Sequence, residues 1–183
     1  TIRAVGRLTN AVQGLRPGDN LFIRGPYGTG FPVDRFRQQR LVIVAGGSGV
    51  APVRPLIDRV VRGELPVKSL DLIVGFKNRS SILFSDDLAA WKEKSRLVLT
   101  IDKPEEGWNG ETGLVTEHIK KMQFADFDDL QVVVVGPPVM MKFATAEFRL
   151  LKVPSERIWV SFERLMSCGL GKCGHCKIDY TYV

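Results

Sequence analysis

LVIVAGGSGVAPVRPL, residues 41–56, is the stretch that decides the fold of this 183-residue chain. It begins with a run of apolar, mostly β-branched residues, which is typical of a strand buried on both faces. Gly46, Gly47, Ser48 and Gly49 follow, and the residues after them place apolar side chains at helical spacing. A strand, a glycine-rich turn and a helix in this order predict the first unit of a parallel sheet covered by helices.

The same alternation continues towards the carboxyl terminus. Further apolar runs of strand length lie at residues 69–76, 96–102, 130–136 and 156–162. Helical patterns lie between them at residues 51–63, 85–94, 112–122 and 137–152. Ser85 is predicted to cap the second of these helices. Because parallel strands are joined by right-handed crossovers, the sequence predicts an α/β fold with a doubly wound, five-stranded parallel sheet.

The amino-terminal region has a different character. Short apolar segments at residues 2–6 and 21–25 predict strands, and residues 9–15 predict one or two helical turns capped by Thr9. The segment GPYGTGFP, residues 25–32, contains too much glycine and proline for either element. We therefore expect three regions, with boundaries at residues 1–37, 38–163 and 164–183.

The composition, 44% apolar and 25% charged, is that of a globular protein. No apolar run approaches the ~20 residues of a membrane span, and the sequence has no apolar leader. Three clustered cysteines do not indicate a disulfide framework, so we expect a reducing cytoplasm. The net charge of +6 is spread over scattered arginines. A solvated surface and a basic face for an anionic cofactor or acidic redox partner both remain open, whereas nucleic acid is disfavoured.

The glycine loop at residues 46–49 follows the first strand, where open parallel sheets bind ligands. Glycines let the backbone approach a ligand closely, and the next helix, with Pro52 near its first turn, offers free N–H groups. A pyrophosphate is the ligand that this arrangement favours. The spacing is neither G-x-G-x-x-G nor a P-loop, so a purely structural tight turn remains the alternative.

A second loop, Gly136-Pro137-Pro138, follows the fourth predicted strand at the same edge of the sheet. Its prolines suit the start of a helix. Met140 and Met141 then offer soft apolar surface, although packing in the core is the alternative for one of them. One loop for phosphate and one apolar loop would together suit a nicotinamide dinucleotide.

The tail SCGLGKCGHC, residues 167–176, contains all three cysteines of the chain. Cys168-x4-Cys173-x2-Cys176 has the spacing of plant-type [2Fe–2S] ferredoxins, and soft thiolates favour iron–sulfur clusters or zinc. A zinc site that adds His175 is the less favoured alternative, with His175 otherwise a surface residue. A [2Fe–2S] cluster needs four ligands and the chain has three cysteines, so we expect this chain to hold a cluster poorly or not at all.

The segments AGGSGVAP (45–52) and VVGPPVMMKF (134–143) resemble the nucleotide domain of the ferredoxin–NADP reductase superfamily. The segments VGRLTNAVQGLRPGD, IRGPYGTGFP, GWNGETGLVT and MSCGLGKCGHC are similar to a narrower group of electron-transfer subunits. That group serves dihydroorotate dehydrogenase, cytoplasmic sulfhydrogenase (gamma type) and anaerobic sulfite reductase (B type). The resemblance implies FAD on a β-barrel, NAD(P)H on the α/β domain and a [2Fe–2S] cluster on the tail.

The resemblance assigns site residues by position. It implies that NAD(P) contacts Gly46, Gly47, Ser48, Gly49, Val50, Ala51, Pro52, Asp102, Gly136, Pro137, Pro138 and Met140. It implies that FAD contacts Gly6, Arg7, Thr9, Gly25, Pro26, Tyr27 and Gly28, with ordinary packing the alternative for Tyr27. It implies cluster ligation by Cys168, Cys173 and Cys176. Residues 1–37 would be the last part of the flavin barrel, 38–163 the nucleotide domain and 164–183 the partial cluster segment.

Two departures from the family pattern matter. Val135 stands where many members have a cysteine before the Gly-Pro pair, so no thiol assists hydride transfer there. The Arg-x-Tyr-Ser flavin motif is absent, and residues 1–37 supply too few strands to close a barrel. We therefore expect a fragment whose FAD site is incomplete. Whether this fragment is active as an enzyme on its own stays open.

The third predicted strand ends at TIDKPEEGW, residues 100–108. In the superfamily this edge meets the adenine ribose. Asp102 would accept hydrogen bonds from the ribose diol and repel a 2′-phosphate, whereas Lys103 would do the opposite, and NADH is favoured. Trp108, in the next glycine-rich loop, is either a nucleotide contact or a lid over the sheet edge.

The resemblance implies an enzyme subunit that passes a hydride from NAD(P)H to FAD and then single electrons through the cluster to a catalytic partner subunit. A hetero-oligomer is expected in the intact system, with no membrane or nucleic acid. No acid–base residue is assigned, because positioning of the cofactors is sufficient. The alternative is a non-catalytic relay or a zinc-binding structural module of a redox complex.

Overall fold

The computed structural model describes residues 2–162, 166–178 and 181–182. The chain divides into two compact units. The smaller unit combines residues 1–29 and 165–183, and the larger unit consists of residues 30–164.

The larger unit contains a six-stranded sheet in which every neighbouring pair of strands is parallel. Its strands are β1 (Arg40–Gly46), β2 (Ser69–Phe76), β3 (Arg96–Ile101), β4 (Glu111–Thr112), β5 (Leu130–Val135) and β6 (Ile158–Val160). They lie in the order β4-β3-β2-β1-β5-β6, so the chain starts in the middle and winds out in both directions. The predicted α/β class and parallel sheet are confirmed. The count of five strands is wrong by one, because the two residues of β4 are too few to produce a periodic pattern.

Among the described residues, the α-helices are α1 (Arg7–Gln13), α2 (Val50–Val61), α3 (Leu88–Lys94), α4 (Val115–Ile119) and α5 (Pro138–Leu150). α2 and α3 pack on one face of the sheet and α4 and α5 on the other. Consecutive residues of β1 point to opposite faces, so Ile43 joins the first core and Val44 the second. Both are completely buried, as the apolar run predicts. This sandwich fixes the carboxyl ends of all its strands at one edge.

The prediction that Ser85 caps a helix is wrong. Ser85–Asp87 form a short 3-10 turn, and α3 begins only at Leu88. The Ser85 hydroxyl instead donates to the Asp86 carboxylate at 3.4 Å. The capping residues of that turn and helix make no side-chain capping bond.

In the smaller unit, residues 2–6 and 21–25 were predicted to be strands, and this is wrong: neither segment is a strand. A strand needs a hydrogen-bonded neighbour, and the described residues offer these segments none. The regular elements there are α1 and an antiparallel pair, β7 (Lys177–Ile178) with β8 (Thr181–Tyr182).

Thr9 does not cap α1 from the N-cap position. That position is Gly6, and Thr9 lies three residues further on. The Thr9 hydroxyl accepts the N–H groups of Val5 and Gly6, each at 3.0 Å. The side chain therefore steadies the helix start from inside the first turn.

Across the described ranges, none of the helices has both the length and the apolar character to cross a bilayer.

Candidate functional site

A cleft of about 730 Å³ opens along the carboxyl edge of the sheet. Residues at or just beyond the ends of β1, β2, β3 and β5 line it, together with residues in or next to α4 and α5. The strands approach the cleft from a rigid core, so its base is set by the sheet. Parallel α/β sheets place their ligands at this edge.

The glycine loop forms one wall of the cleft. Gly46 and Gly47 line it, and Gly47 has a φ of +54°, which favours glycine. A Cβ on Gly49 would lie 2.5 Å from the Val135 carbonyl oxygen and 2.7 Å from the Cα of Gly136. Only glycine permits this approach, so the two loops predicted from sequence pack directly against each other.

The remaining predicted loop residues have different surroundings. Ser48 and Pro52 are exposed, and Ala51 is half-buried. Val50 is fully buried in the core beside the helix it begins. Of the predicted nucleotide contacts at residues 46–52, Gly46 and Gly47 are therefore the two that line the cleft.

The second loop supplies the adjoining wall. Pro137 lines the cleft, and Pro138 is the first residue of α5, as expected for proline at a helix start. The Met140 thioether lines the cleft and covers Gly46 and Gly136 at the positions where side chains would otherwise start. Met141 is buried in the core. One methionine faces the cleft and the other packs in the core, which are the two alternatives the sequence left open.

Asp102 follows β3 and lines the cleft, whereas Lys103 does not. Trp108 lies elsewhere. Its indole N–H donates to the Glu111 carbonyl at 2.8 Å, and the ring lines a second cleft of about 560 Å³ with residues of β3 and α3. Trp108 therefore does not line the first cleft. Gly113, in the same glycine-rich loop, does.

A buried hydrogen-bond chain holds the Gly113 wall in place. Thr100 donates its hydroxyl proton to the Gly113 carbonyl at 2.7 Å. The Thr100 oxygen lies 3.2 Å from Nε2 of His118, so this ring nitrogen must be the donor. His118 is one of the few buried polar residues. Sequence reasoning missed this chain because neither residue belongs to a motif.

Sequence reasoning also missed several residues that line the cleft, among them Lys77, Leu114 and Phe143. Lys77 directly follows the predicted strand 69–76, and Asp102 ends the predicted strand 96–102, so the sequence places both at the carboxyl edge of the sheet. It does not show that they lie on neighbouring strands. Leu114 and Phe143 are exposed by 56% each, so they give the mouth of the cleft an apolar surface. No comparable sequence signal distinguishes them from residues of the core.

The residues predicted to contact FAD all lie in the smaller unit. Gly6, Arg7 and Thr9 form the start of α1, a helix too short to supply an anion site by itself. Gly25 and Pro26 are joined by a cis peptide bond, and Gly28 has a φ of +85°. The guanidinium of Arg24 lies 5.8 Å from the centre of the Tyr27 ring. Tyr27 is 37% exposed, and Gly169 packs against its ring closely enough that a Cβ there would lie 2.8 Å from it. An aromatic side chain is chemically suited to contact a flavin, so this part of the set fits such a group.

The cysteine loop is built on glycines with positive φ: Gly169 (+66°), Gly171 (+72°) and Gly174 (+71°). The Leu170 N–H donates to the Cys168 sulfur at 3.3 Å. Backbone N–H groups, that of Cys173 first and that of Leu170 next, lower the pKa of Cys168 to about 6. The loop therefore favours a thiolate at neutral pH, as a metal ligand must be.

The three sulfurs differ in position. Cys176 is buried, Cys173 is exposed and Cys168 is intermediate. Over the part of the chain that the structure describes, no three His, Cys, Asp or Glu side chains form a group that could hold a metal ion. Three cysteine sulfurs are suitable ligands for a soft metal. In this structure, however, they are not arranged closely enough to hold one.

A doubly wound parallel sheet, with a glycine loop after β1 and a cleft along the carboxyl edge, defines a dinucleotide-binding domain. The chain belongs to the oxidoreductase NAD-binding domain family, whose model matches residues 43–146. The predicted superfamily resemblance is confirmed by the relatives and by the reductase folds described next.

Two curated relatives illustrate the group. Sulfhydrogenase 2 subunit gamma of Pyrococcus furiosus is 34% identical over 96% of this chain and 65% of its own length. The probable dihydroorotate dehydrogenase B (NAD(+)) electron transfer subunit of Methanopyrus kandleri is 35% identical over 97% of this chain and 62% of its own length. The chain thus spans less than two thirds of these relatives.

Solved structures agree on the fold. A chain of an NADH-dependent reduced ferredoxin–NADP oxidoreductase has a TM-score of 0.73 and 27% identity, covering 96% of this chain and 58% of its own. The cytochrome b5 reductase domain of Ulva prolifera nitrate reductase has a TM-score of 0.70 at 18% identity, covering 85% and 64%. The second likeness concerns the fold alone.

Proposed function

We propose that this chain is the nucleotide-binding part of an electron-transfer subunit, which passes a hydride from NAD(P)H to FAD and then single electrons through a [2Fe–2S] cluster to a partner subunit. The observation that carries the proposal is the cleft at the carboxyl edge of the sheet, with two glycine-containing loops packed against each other as its adjoining walls. Its size is in the range of cofactor sites. FAD, when bound, supplies the conversion from hydride to single electrons.

The residues of the cleft would bind and orient the dinucleotide. The backbone of Gly46 and Gly47 would bring N–H groups close to a diphosphate, with open space beside Gly47. Pro137 and the Met140 thioether present an apolar surface suited to a planar ring. Holding that ring in one orientation is the contribution that hydride transfer requires from the protein.

NADH is the preferred coenzyme in this proposal. The Asp102 carboxylate lines the cleft and makes no side-chain hydrogen bond or ion pair to residues that the structure describes. Its acceptor oxygens are therefore available to a ribose diol. A 2′-phosphate at that position would meet a like charge, which is unfavourable in a partly enclosed cleft.

The smaller unit would supply the other two groups. Gly25, Pro26, Tyr27 and Gly28 would contact the flavin, together with Gly6, Arg7 and Thr9. Cys168, Cys173 and Cys176 would hold iron, and they provide three of the four thiolates that a [2Fe–2S] cluster uses. We further propose a catalytic partner subunit, because the curated relatives carry subunit names from multi-subunit enzymes.

Calorimetric titration of the purified chain with NADH tests the nucleotide site, and saturable binding at one site is expected. Adding NADH to the FAD-loaded, full-length protein under anaerobic conditions then tests the reaction. Bleaching of the flavin absorbance is expected. Binding of NADH without bleaching would favour a non-catalytic relay, and no binding at all would refute the proposal.

A further inference from the structure

Lys77 lines the edge cleft and directly follows β2. Within the described ranges its side chain makes no hydrogen bond or ion pair. The neighbouring cations face elsewhere, because Lys103 does not line this cleft and Arg79 lines the second cleft. Lys77 thus brings an uncompensated positive charge to the nucleotide edge.

The register of the sheet fixes where that charge lies. Gly75 in β2 is the register partner of Gly46, at which the glycine loop begins. On the other side, β2 and β3 pair in register up to the last residue of each strand, so Lys77 and Asp102 follow equivalent positions. Lys77 therefore lies between the glycine loop and the aspartate along the edge of the sheet.

The other cation that lines the cleft is already paired. Lys120 lines the cleft, but its Nζ lies 3.5 Å from the Glu147 carboxylate. Among the lining residues that the structure describes, Lys77 is thus the cation free to meet a ligand.

We infer that Lys77 binds the diphosphate of the nicotinamide dinucleotide, between the glycine loop and Asp102. This inference rests on the proposed function and names a binding residue for the same site. A diphosphate is an anion, and the unpaired Asp102 carboxylate adds negative charge to the cleft, whereas Glu147 is paired with Lys120. Neutral backbone N–H groups do not cancel these charges, whereas an ammonium at this place does. Along the edge of the sheet, Asp102 would then accept hydrogen bonds from the ribose, and Lys77 would bind the diphosphate together with the glycine loop. The apolar loop after β5 would contact the nicotinamide ring.

The test compares Lys77→Gln with Lys120→Gln in calorimetric titrations of the full chain with NADH, ADP and adenosine. Lys120 is the matched control, because it lines the same cleft but is paired. Lys77→Gln should weaken NADH and ADP binding about tenfold, the loss expected for one charge-assisted hydrogen bond, and leave adenosine binding unchanged. Lys120→Gln should change none of them more than about twofold. Raising the salt concentration should weaken NADH binding more in the wild type than in Lys77→Gln.

Lys77→Arg keeps the charge and should retain most of the NADH affinity, with circular dichroism confirming that each variant is folded. Unchanged NADH and ADP affinity in Lys77→Gln would overturn the inference while the proposed function stands. Equal weakening of adenosine would also overturn it, because adenosine has no phosphate. A wild-type chain that binds neither NADH nor ADP would refute the proposed function and this assignment with it.

Discussion

The two compact units of the chain bury their apolar side chains to very different extents. In the larger unit, residues Leu41 to Ala45 of β1 are completely buried. In the smaller unit, Phe22 and Ile23 are 97% and 83% exposed. Burial of apolar surface stabilises the first arrangement, whereas local hydrogen bonds and glycine turns shape the second. The cleft therefore rests on a packed core. None of the proposed flavin residues is buried, and Cys176 is the buried member of the cysteine set.

The largest expected effect compares one phenylalanine from each unit. Phe148 in α5 is fully buried, and Phe148→Ala should lower the free energy of unfolding by about 4 kcal/mol through lost burial and a cavity. Phe22→Ala removes a side chain that is 97% exposed and should change it by less than about 0.5 kcal/mol. Urea unfolding followed by tryptophan fluorescence measures both. A large loss in Phe22→Ala would show that the smaller unit has a core of its own and would break the comparison.

A smaller effect is expected from two glycines. A Cβ on Gly49 would meet backbone atoms at 2.5 and 2.7 Å, whereas one on Gly6 would meet nothing within 4 Å. Gly49→Ala should therefore cost about 2–3 kcal/mol of stability and weaken NADH binding, because the two cleft loops must move apart. Gly6→Ala should leave the unfolding midpoint and NADH affinity close to wild type. Wild-type stability in Gly49→Ala would contradict the tight packing of the loops.

The sequence could predict the larger unit because long apolar runs have few alternatives to a buried strand. β1 and β5 follow this rule, with every residue of β5 buried. The same reasoning failed at residues 2–6 and 21–25, where short apolar segments have no strand to pair with in the described chain. β4 was missed for the opposite reason, since its two residues depend on pairing with β3 rather than on a pattern.

The candidate site was predictable where a motif marks it. The glycine loop, the Gly136-Pro137 turn and Asp102 were all assigned from the sequence, and residues of each line one cleft. Lys77 was not, because one lysine after a strand looks like any other surface lysine until the register of the sheet is known. The Thr100–His118 hydrogen bond was not predictable from the sequence either, because only the packing of α4 on the sheet brings the two residues together.

A further prediction concerns the choice of coenzyme in the larger unit. Asp102→Ser should shift the ratio of NADPH to NADH affinity about tenfold towards NADPH, which corresponds to ~1.4 kcal/mol of differential binding. The reason is removal of a carboxylate that repels the 2′-phosphate. Asp128→Ser, at an exposed aspartate outside the cleft, is the control and should leave the ratio unchanged. An unchanged ratio in Asp102→Ser would remove Asp102 from the ribose site.

The smallest expected effect lies at the opposite edge of the sheet and depends on pH. Hydrogen bonds from Lys68 (2.7 Å) and Arg40 (2.5 Å) lower the pKa of the Asp129 carboxyl below its usual 3.8. A carboxyl whose pKa is lower in the folded state stabilises that state above pH 3.8, and the contribution is lost as the pH falls through the folded pKa. Wild type should therefore be more stable than Asp129→Asn at pH 7, and the difference should vanish in strong acid. Asp34→Asn, at a carboxylate that is 90% exposed, should track the wild type at every pH. If the stability of Asp129→Asn equals that of the wild type at every pH, the ion pairs that join β1 to the start of β5 do not contribute to the stability of the larger unit.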